Sequence, residues 1–413
     1  GHCRKFDAGT MCPSFRVTRD EEHGTRGRAN TLRLALSGQL GPEFASEDVR
    51  AALDLCVSCK GCKRDCPTGV DMAKMKIEFA WHWQKKHGLS LKDRIVAHLP
   101  RWAPWAARFP WVANLRDTLP GAARLSEKVA GLSAQRKLPR WRSDTFLTSA
   151  AARQTLDGAA DVVLLVDTFS NYHEPENAHA ALRVLKAAGY RVAVAHATRT
   201  DAEPARPLCC GRTYLAAGLV DDAKREAQRM VDALAPHVAA GATVVGLEPS
   251  CLLSLRDEFL VMGLGDSAVQ LAPGALMIEE FLAREHKEGR LRLPLQALPQ
   301  KQALVHGHCH QKAFDVLNPV VTMLRWVPEL QVEVIESSCC GMAGSFGYEA
   351  AHYGVSMKMA ELSLLPAVRN AEAGTLIIAD GTSCRHQIAD GTHAAREAVH
   401  AIRVLASALA PGN

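Results

Sequence analysis

The sequence predicts a protein of mixed α+β and α/β class: a helical N-terminal module followed by two α/β repeats with parallel sheets. Three observations predict it. Six cysteines fall within the first 66 residues, four of them as C-x2-C-x2-C-x3-C-P. From Asp161 onward, short apolar runs alternate with segments of helical spacing, the pattern of a parallel sheet. That order then recurs, each time carrying the string Cys-Cys-Gly.

The bulk numbers frame this reading. A length of 413 residues allows two or three domains and ample core. The net charge of +5 is mild and gives no reason to expect nucleic acid. No apolar run is long enough to span a bilayer; Val162–Val166 reads as a buried strand. No secretory leader is evident. Thirteen cysteines, an odd number, sit in clusters, which points to a reducing, cytoplasmic compartment and to metal ligation.

The string Cys56-Val57-Ser58-Cys59-Lys60-Gly61-Cys62-Lys63-Arg64-Asp65-Cys66-Pro67 is the bacterial ferredoxin run for [4Fe–4S] clusters. Three thiolates on a tight turn reach three corners of one cube, and the fourth, set before proline, usually serves a second cluster. Zinc is the poorer fit, because zinc sites usually come as two separated Cys pairs. Upstream, Cys3 and Cys12-Pro13 look like the closing end of another such run, whose opening cysteines are absent. With fourth cysteines exchanged, Cys12, Cys56, Cys59 and Cys62 hold one complete [4Fe–4S] cluster. Cys3 and Cys66 belong to a second, short of ligands in this chain. The incomplete run and the start at Gly1-His2 raise the expectation that residues precede it. Arg16, Arg19, Arg26, Arg28, Lys60, Lys63 and Arg64 are expected to offset the cluster charge as a group.

The expected divisions are 1–90 for the ferredoxin-type module, 91–155 for a helical connector, 156–290 for the first repeat and 291–413 for the second. Helices are expected over Ala29–Gly38 and Asp71–Trp81. The connector is rich in tryptophan, arginine and proline. It is read as packing on the next domain, with contact to a membrane surface as the alternative.

In the first repeat, Asp161–Val166 is a strand ending at Asp167, and Asn177–Ala188 is a helix closed by Gly189. Arg191–Ala195 is a strand, Cys209-Cys210-Gly211 precedes a helix through Ala235, and the strand Thr243–Leu247 leads to Cys251. In the second, the strand Ala303–Val305 leads to Cys309 and Val332–Ile335 to Cys339-Cys340-Gly341. A helix over Ala350–Leu364 follows, then the strand Thr375–Ile378 before Cys384. Cys339 follows Cys209 by 130 residues and Cys384 follows Cys251 by 133, so the halves are nearly in register. The unusual residues fall at strand ends, where such folds place sites. Cys309, Cys339, Cys340 and Cys384 give the second half four thiolates for an additional cluster or zinc. The first half has Cys209, Cys210 and Cys251, with Asp167 where a fourth cysteine is expected. It is read either as a metal site or as a degenerate repeat whose cysteines pack as small apolar residues.

A ferredoxin module followed by two Cys-Cys-Gly repeats resembles the CCG-domain iron–sulfur proteins, such as the glycolate oxidase and anaerobic glycerol-3-phosphate dehydrogenase iron–sulfur subunits. The strings Met11-Cys12-Pro13-Ser14-Phe15, Arg19–Asn30 and Pro207–Thr213 are most similar to the iron–sulfur portion of fused FAD-linked D-lactate and D-2-hydroxyglutarate dehydrogenases. The resemblance implies an electron-transfer portion of a 2-hydroxyacid dehydrogenase. FAD would lie on an upstream domain or a partner subunit, with a quinone, electron-transfer flavoprotein or cytochrome as acceptor. It leaves room for peripheral association with the inner face of the cytoplasmic membrane. No G-x-G-x-x-G string stands at a strand–helix junction, so no FAD site is expected on this chain, and no catalytic residue is assigned. Two alternatives remain open: a thiol–disulfide enzyme like heterodisulfide reductase, and a zinc-stabilised scaffold.

Overall fold

The computed structural model describes residues 2–5, 10–154 and 160–410. The expected boundary at 155/156 lies outside the described residues.

Two sheets form the frame. The first contains β1 (Val162–Leu165), β2 (Val192–Val194), β3 (Thr243–Gly246) and β4 (Ala275–Met277). The second contains β5 (Gln302–Val305), β6 (Gln331–Val334), β7 (Leu376–Ile378) and β8 (Ala398–Val399). Their orders, β2-β1-β3-β4 and β6-β5-β7-β8, are the same, and all pairings are parallel. Val162 pairs with Val192 and Thr243; Ala303 pairs with Val332 and Leu376. β1 is apolar throughout because helices cover both of its faces, as parallel sheets require. β4 and β8 were not expected: at three and two residues they are too short to show a periodicity.

The repeats share one core. Leu182 and Leu185 on the helix Pro175–Ala187 join Ile402 and Leu405 on the helix Ala401–Ser407 in a single buried cluster. Each such side chain contributes about 1.5–3 kcal/mol by leaving water. This shared core fixes the strand ends of one repeat relative to those of the other.

The N-terminal module consists of the helices Pro13–Thr18, Thr25–Leu36, Glu47–Asp54, Gly61–Asp65 and Met72–His87. Two differ from expectation. The helix expected over 29–38 begins four residues earlier, and the one expected to stop at Trp81 runs on to His87, where Gly88 at φ 74° ends it. In the second repeat the single helix expected over 350–364 is two, Tyr353–Glu361 and Leu364–Asn370, separated at Ser363 with φ −156°.

Between module and repeats the chain forms the short helices Leu91–Ala97, Leu99–Arg108, Pro110–Ala113, Leu115–Thr118 and Ala122–Ala130. Pro100, Pro110 and Pro120 stand at three of the breaks. The Trp102 and Trp141 rings meet at a tilt of 52° with centroids 5.0 Å apart, and Trp141 meets Tyr172 of the first repeat at 6.0 Å. The packing reading therefore holds for those two tryptophans. It does not hold for Trp105 and Trp111, which are 66% and 69% exposed.

Candidate metal centres

The ferredoxin run is a tight turn held by its own backbone. Ser58 and Lys60 both adopt left-handed φ, 48° and 58°, a conformation that costs about 1–3 kcal/mol per non-glycine residue and persists only where surroundings enforce it. The helix Gly61–Asp65 follows, and Asp65 Oδ2 accepts from the N–H of Thr10 at 2.9 Å and of Met11 at 3.3 Å. This ties the upstream Cys12 segment to the run.

The expected group of four assembles. Cys12 is buried, and burial raises its thiol, with Cys56 adding to the rise. Burial pushes Cys62 up to about 12, with Cys56 and Cys12 contributing. Cys59 lies well above its usual value through burial and through Cys309, Cys62 and Cys12. Four thiols that repel one another when ionised are a poor arrangement for bare protein. They suit a cationic iron core, which takes thiolates as ligands. The residues therefore fit a [4Fe–4S] cluster held by Cys12, Cys56, Cys59 and Cys62.

Cys66, expected to serve a second cluster, is half-buried in a different setting. Burial raises its thiol, but hydrogen bonds from Thr68, Val70 and Gly69 outweigh that, leaving it below the usual value. Cys3 is buried in the same apolar cluster as Cys12 and Cys62.

The basic residues are arranged differently from expectation. Arg28 is buried beside Cys12, where its charge favours the thiolate, and its guanidinium donates to Ala52 O at 2.9 Å and Ser14 Oγ at 2.9 Å. Arg26 is exposed and bonded to Glu21, and Arg64 pairs with Asp315 at 3.0 Å. Lys60 and Lys63 both bind Asp257 at 2.6 Å, and Lys60 also binds Glu258 at 2.5 Å. These two lysines therefore fasten the ferredoxin run to the first repeat. A half-buried cation that the sequence did not single out is Lys76, whose Nζ donates to Cys56 O at 2.7 Å.

In the first repeat Cys209, Cys210 and Cys251 meet. Cys210 is held well below its usual value because Cys209 and Cys251 both donate to it. Cys251 is raised by that bond to Cys210 and by burial, and the charge of Asp167 adds to the rise. Oδ1 of Asp167 accepts from Phe169 N at 2.8 Å and Ser170 N at 2.9 Å. Its Oδ2 is buried with no hydrogen-bond partner. Burial, with Asp167 adding, pushes Glu248 up to about 7.

In the second repeat all four expected thiols come together in a chain of hydrogen bonds, Cys309–Cys339–Cys340–Cys384. All four are buried. Lys312, one turn past Cys309, is half-buried near them and donates to Ser337 O and to Ser338 O, the latter at 3.0 Å. Burial lowers the Lys312 ammonium, and all four cysteines counter that by favouring its charged form. Sequence reasoning missed Lys312; its position three residues after Cys309, on the same short helix, was the available signal.

Gly211 and Gly341 occupy the same role in both repeats. Their φ values are 76° and 86°. A Cβ at Gly211 would stand 2.9 Å from Ala223 O, and one at Gly341 only 2.5 Å from Ser356 O. The glycine of each Cys-Cys-Gly turn is needed both for its left-handed backbone and for the close approach of the following helix.

The module and the second repeat are in direct contact. Cys59 and Val57 share a buried cluster with Cys309, Cys339, Cys340 and Cys384. His310 Nε2 meets Ser58 O at 3.2 Å, and Ser338 Oγ donates to Thr10 O at 2.6 Å.

Comparison with known proteins agrees with this geometry. Residues 1–70 match the family model described as a 4Fe-4S dicluster domain. The chain is 25% identical, over 94% of its length, to the D-2-hydroxyglutarate dehydrogenase of Escherichia coli (strain K12), of which it spans 41%. It is 28% identical over 78% of its length to one of the subunits of anaerobic glycerol-3-phosphate dehydrogenase from the same strain, and 24% identical over 84% to that strain's glycolate oxidase iron-sulfur subunit. It covers 78% and 79% of those two relatives. No solved structure matches. The protein is thus an iron–sulfur protein with two Cys-Cys-Gly sites. More particularly, the relatives it resembles are dehydrogenases and dehydrogenase subunits, which supports an iron–sulfur electron-transfer role.

Proposed function

We propose that this chain is the iron–sulfur electron-transfer portion of an FAD-linked 2-hydroxyacid dehydrogenase of the D-2-hydroxyglutarate, D-lactate or glycolate type. The observation that carries the reading is the contact of Cys59 with the second Cys-Cys-Gly site, a cluster ligand of one centre packed on the thiols of the next. FAD, on another domain or subunit, supplies two-electron chemistry toward the hydroxyacid, and iron–sulfur clusters supply one-electron transfer. Cys12, Cys56, Cys59 and Cys62 hold one [4Fe–4S] cluster. Cys309, Cys339, Cys340 and Cys384 hold a further cluster or a zinc ion. Cys3 and Cys66 contribute thiolates to a second N-terminal cluster. Arg28, Lys76 and Lys312 offset negative charge, and burial of the thiols keeps water from the centres.

The acceptor is a quinone, an electron-transfer flavoprotein or a cytochrome. A cytoplasmic protein resting on the inner face of the membrane fits the first. Trp105, Phe109, Trp111, Leu119, Leu125 and Val129 are exposed on the connector helices, with Arg108, Arg124 and Lys128 among them. This combination suits an interface with anionic lipid. Among the described residues no helix is long and apolar enough to cross a membrane.

The test is to purify the chain, reconstitute its clusters and assay D-2-hydroxyglutarate, D-lactate and glycolate with an artificial acceptor. Turnover is expected only when a flavoprotein domain or subunit is supplied. Robust oxidation by the chain alone would overturn the proposal.

A further inference from the structure

We infer that His306 is a metal ligand of the second Cys-Cys-Gly site, giving that centre mixed nitrogen and sulfur coordination through His306 Nε2, Cys340 and Cys384. The inference rests on the reading above that this site holds a cluster or zinc.

The position is set by the sheet. β5 ends at Val305, and the N–H of His306 donates to Ile378 O on β7 at 2.8 Å, so the residue continues the strand pairing and is fixed at its mouth. The ring is 1% exposed. Nδ1 lies 2.9 Å from Ser337 Oγ. That oxygen receives Lys312 Nζ at 3.2 Å and directs its own hydrogen to Ile335 O at 3.4 Å. It therefore acts as acceptor toward the ring, and Nδ1 carries the proton.

Nε2 is left with a bare lone pair. It is buried and has no hydrogen-bond partner. A ring nitrogen of His306 and the thiols of Cys340 and Cys384 all lie within 4.8 Å of one another, and Nδ1 is engaged elsewhere. Metal-binding histidines are built in this way, with the far N–H donated to a fixed acceptor that sets the tautomer and aims the free nitrogen. Imidazole with thiolate is a donor set for zinc or iron, not for a hard cation.

The neighbouring histidines have other work. His308 Nδ1 accepts from His310 N at 3.1 Å, and His310 Nε2 meets Ser58 O. In the first repeat the residue after β1 is Val166, which offers no donor. Nitrogen ligation therefore distinguishes the second centre from the first. A four-coordinate zinc, or a cluster with four protein ligands, would use His306, Cys340, Cys384 and one of the other two thiols. If the group is a cluster, imidazole in place of thiolate on its iron would raise its potential above that of an all-thiolate cubane.

The experiment uses the reconstituted full chain labelled with 15N-histidine. Pulsed electron paramagnetic resonance of the reduced protein should show a histidine nitrogen coupling. If the site holds zinc, X-ray absorption at the zinc edge should show an imidazole shell. His306→Ala should remove either signature, lower the site's metal affinity by at least about ten-fold, and leave the Cys59 cubane signal unchanged. Ser337→Ala, which removes the Nδ1 acceptor and one of the acceptors of Lys312 but leaves the His306 ring in place, should shift the signature without abolishing it. Should His306→Ala fail to fold, the labelled wild type and Ser337→Ala still decide. If Cys340→Ser releases metal but the wild type shows no histidine nitrogen, or keeps its signature in His306→Ala, this inference falls and the metal site stands. If Cys340→Ser releases no metal, the reading beneath it falls.

Discussion

Asp257→Asn tests whether the ferredoxin module is locked to the first repeat by charge. Asp257 is 1% exposed at its side chain and receives three ammonium groups: Lys60 at 2.6 Å, Lys63 at 2.6 Å and Lys74 at 2.7 Å. Burial raises this carboxyl, but Lys60, Lys63 and Lys74 together hold it well below the usual carboxylate range. Breaking a buried ion pair by removing one partner costs about 3–5 kcal/mol. Lys63 and Lys74 are 36% and 31% exposed, so water takes over part of their solvation, and pairs of that kind are each worth about 0–1 kcal/mol. Lys60 is buried but keeps Glu258. The loss should therefore fall near the lower bound, about 3 kcal/mol, roughly a hundred-fold in the folding equilibrium. Urea unfolding of the reconstituted protein, followed by far-ultraviolet circular dichroism and by cluster absorbance, measures it. Asp315→Asn, which removes the exposed partner of Arg64, is the control and should change stability by no more than about 0.5 kcal/mol. An Asp257→Asn protein as stable as this control would refute the reasoning.

Cys59→Ala should lower iron content by about four atoms per chain, one cubane's worth, and destabilise the N-terminal module; unchanged iron and sulfide would sink the ligand assignment. Cys340→Ser should release metal from the second repeat while Cys210→Ser releases little, because four thiols meet in one and three in the other; metal analysis showing equal loss would mean that Asp167 or another group completes the first site. His352 bridges the module and the second repeat, with Nε2 2.8 Å from Asp54 and Nδ1 3.0 Å from Glu349. Burial lowers it, but the bonds to Asp54 and Glu349 prevail and raise it to about 9. Its raised value means its contribution is whole below about pH 6.5 and is lost as pH rises through about 9. His352→Gln should therefore be destabilising at pH 6 and close to wild type at pH 10, and a pH-independent difference in thermal midpoint would contradict the assignment.

The ferredoxin run and the paired Cys-Cys-Gly strings were legible because their chemistry is local: ligand spacing and a glycine turn are written within a dozen residues. The first three strands of each sheet were legible for a similar reason, being apolar runs that end at unusual residues. What was hidden depends on distance. Lys60 and Asp257 are 197 residues apart, so the sequence showed a basic residue in a cluster run and nothing of its partner. Likewise, His306 in His306-Gly307-His308-Cys309-His310 was visible as a strand end, but its free nitrogen is defined by Ser337, 31 residues on. β4 and β8 were hidden by brevity.

The two repeats share strand order, register and the glycine of the turn, yet their sites differ in charge, and this separates their chemistry. Around the first, Cys251 is raised by its bond to Cys210 and by burial, and Asp167 and Glu248 raise it further. Arg212 joins the bonds from Cys209 and Cys251 in favouring the charged form of Cys210. Around the second stands Lys312, fixed by the carbonyls of Ser337 and Ser338 at the base of the Cys-Cys-Gly turn, with Arg212 also favouring the charged form of Cys309 and Glu248 opposing that of Cys384. Ionising several buried thiols costs less beside an ammonium than beside carboxylates, since charges attract or repel strongly where water is excluded. The ferredoxin run packs its Cys59 on the second site and its Lys60 on Asp257 of the first repeat. The contact with the second repeat brings Cys59 into the cluster of its thiols, beside the ion pairs Arg64–Asp315 and His352–Asp54; the contact with the first includes the buried clasp at Asp257. One duplicated backbone has thus been divided, with four thiols gathered beside Lys312 in the second repeat and the first supplying the carboxylate that holds the module in place.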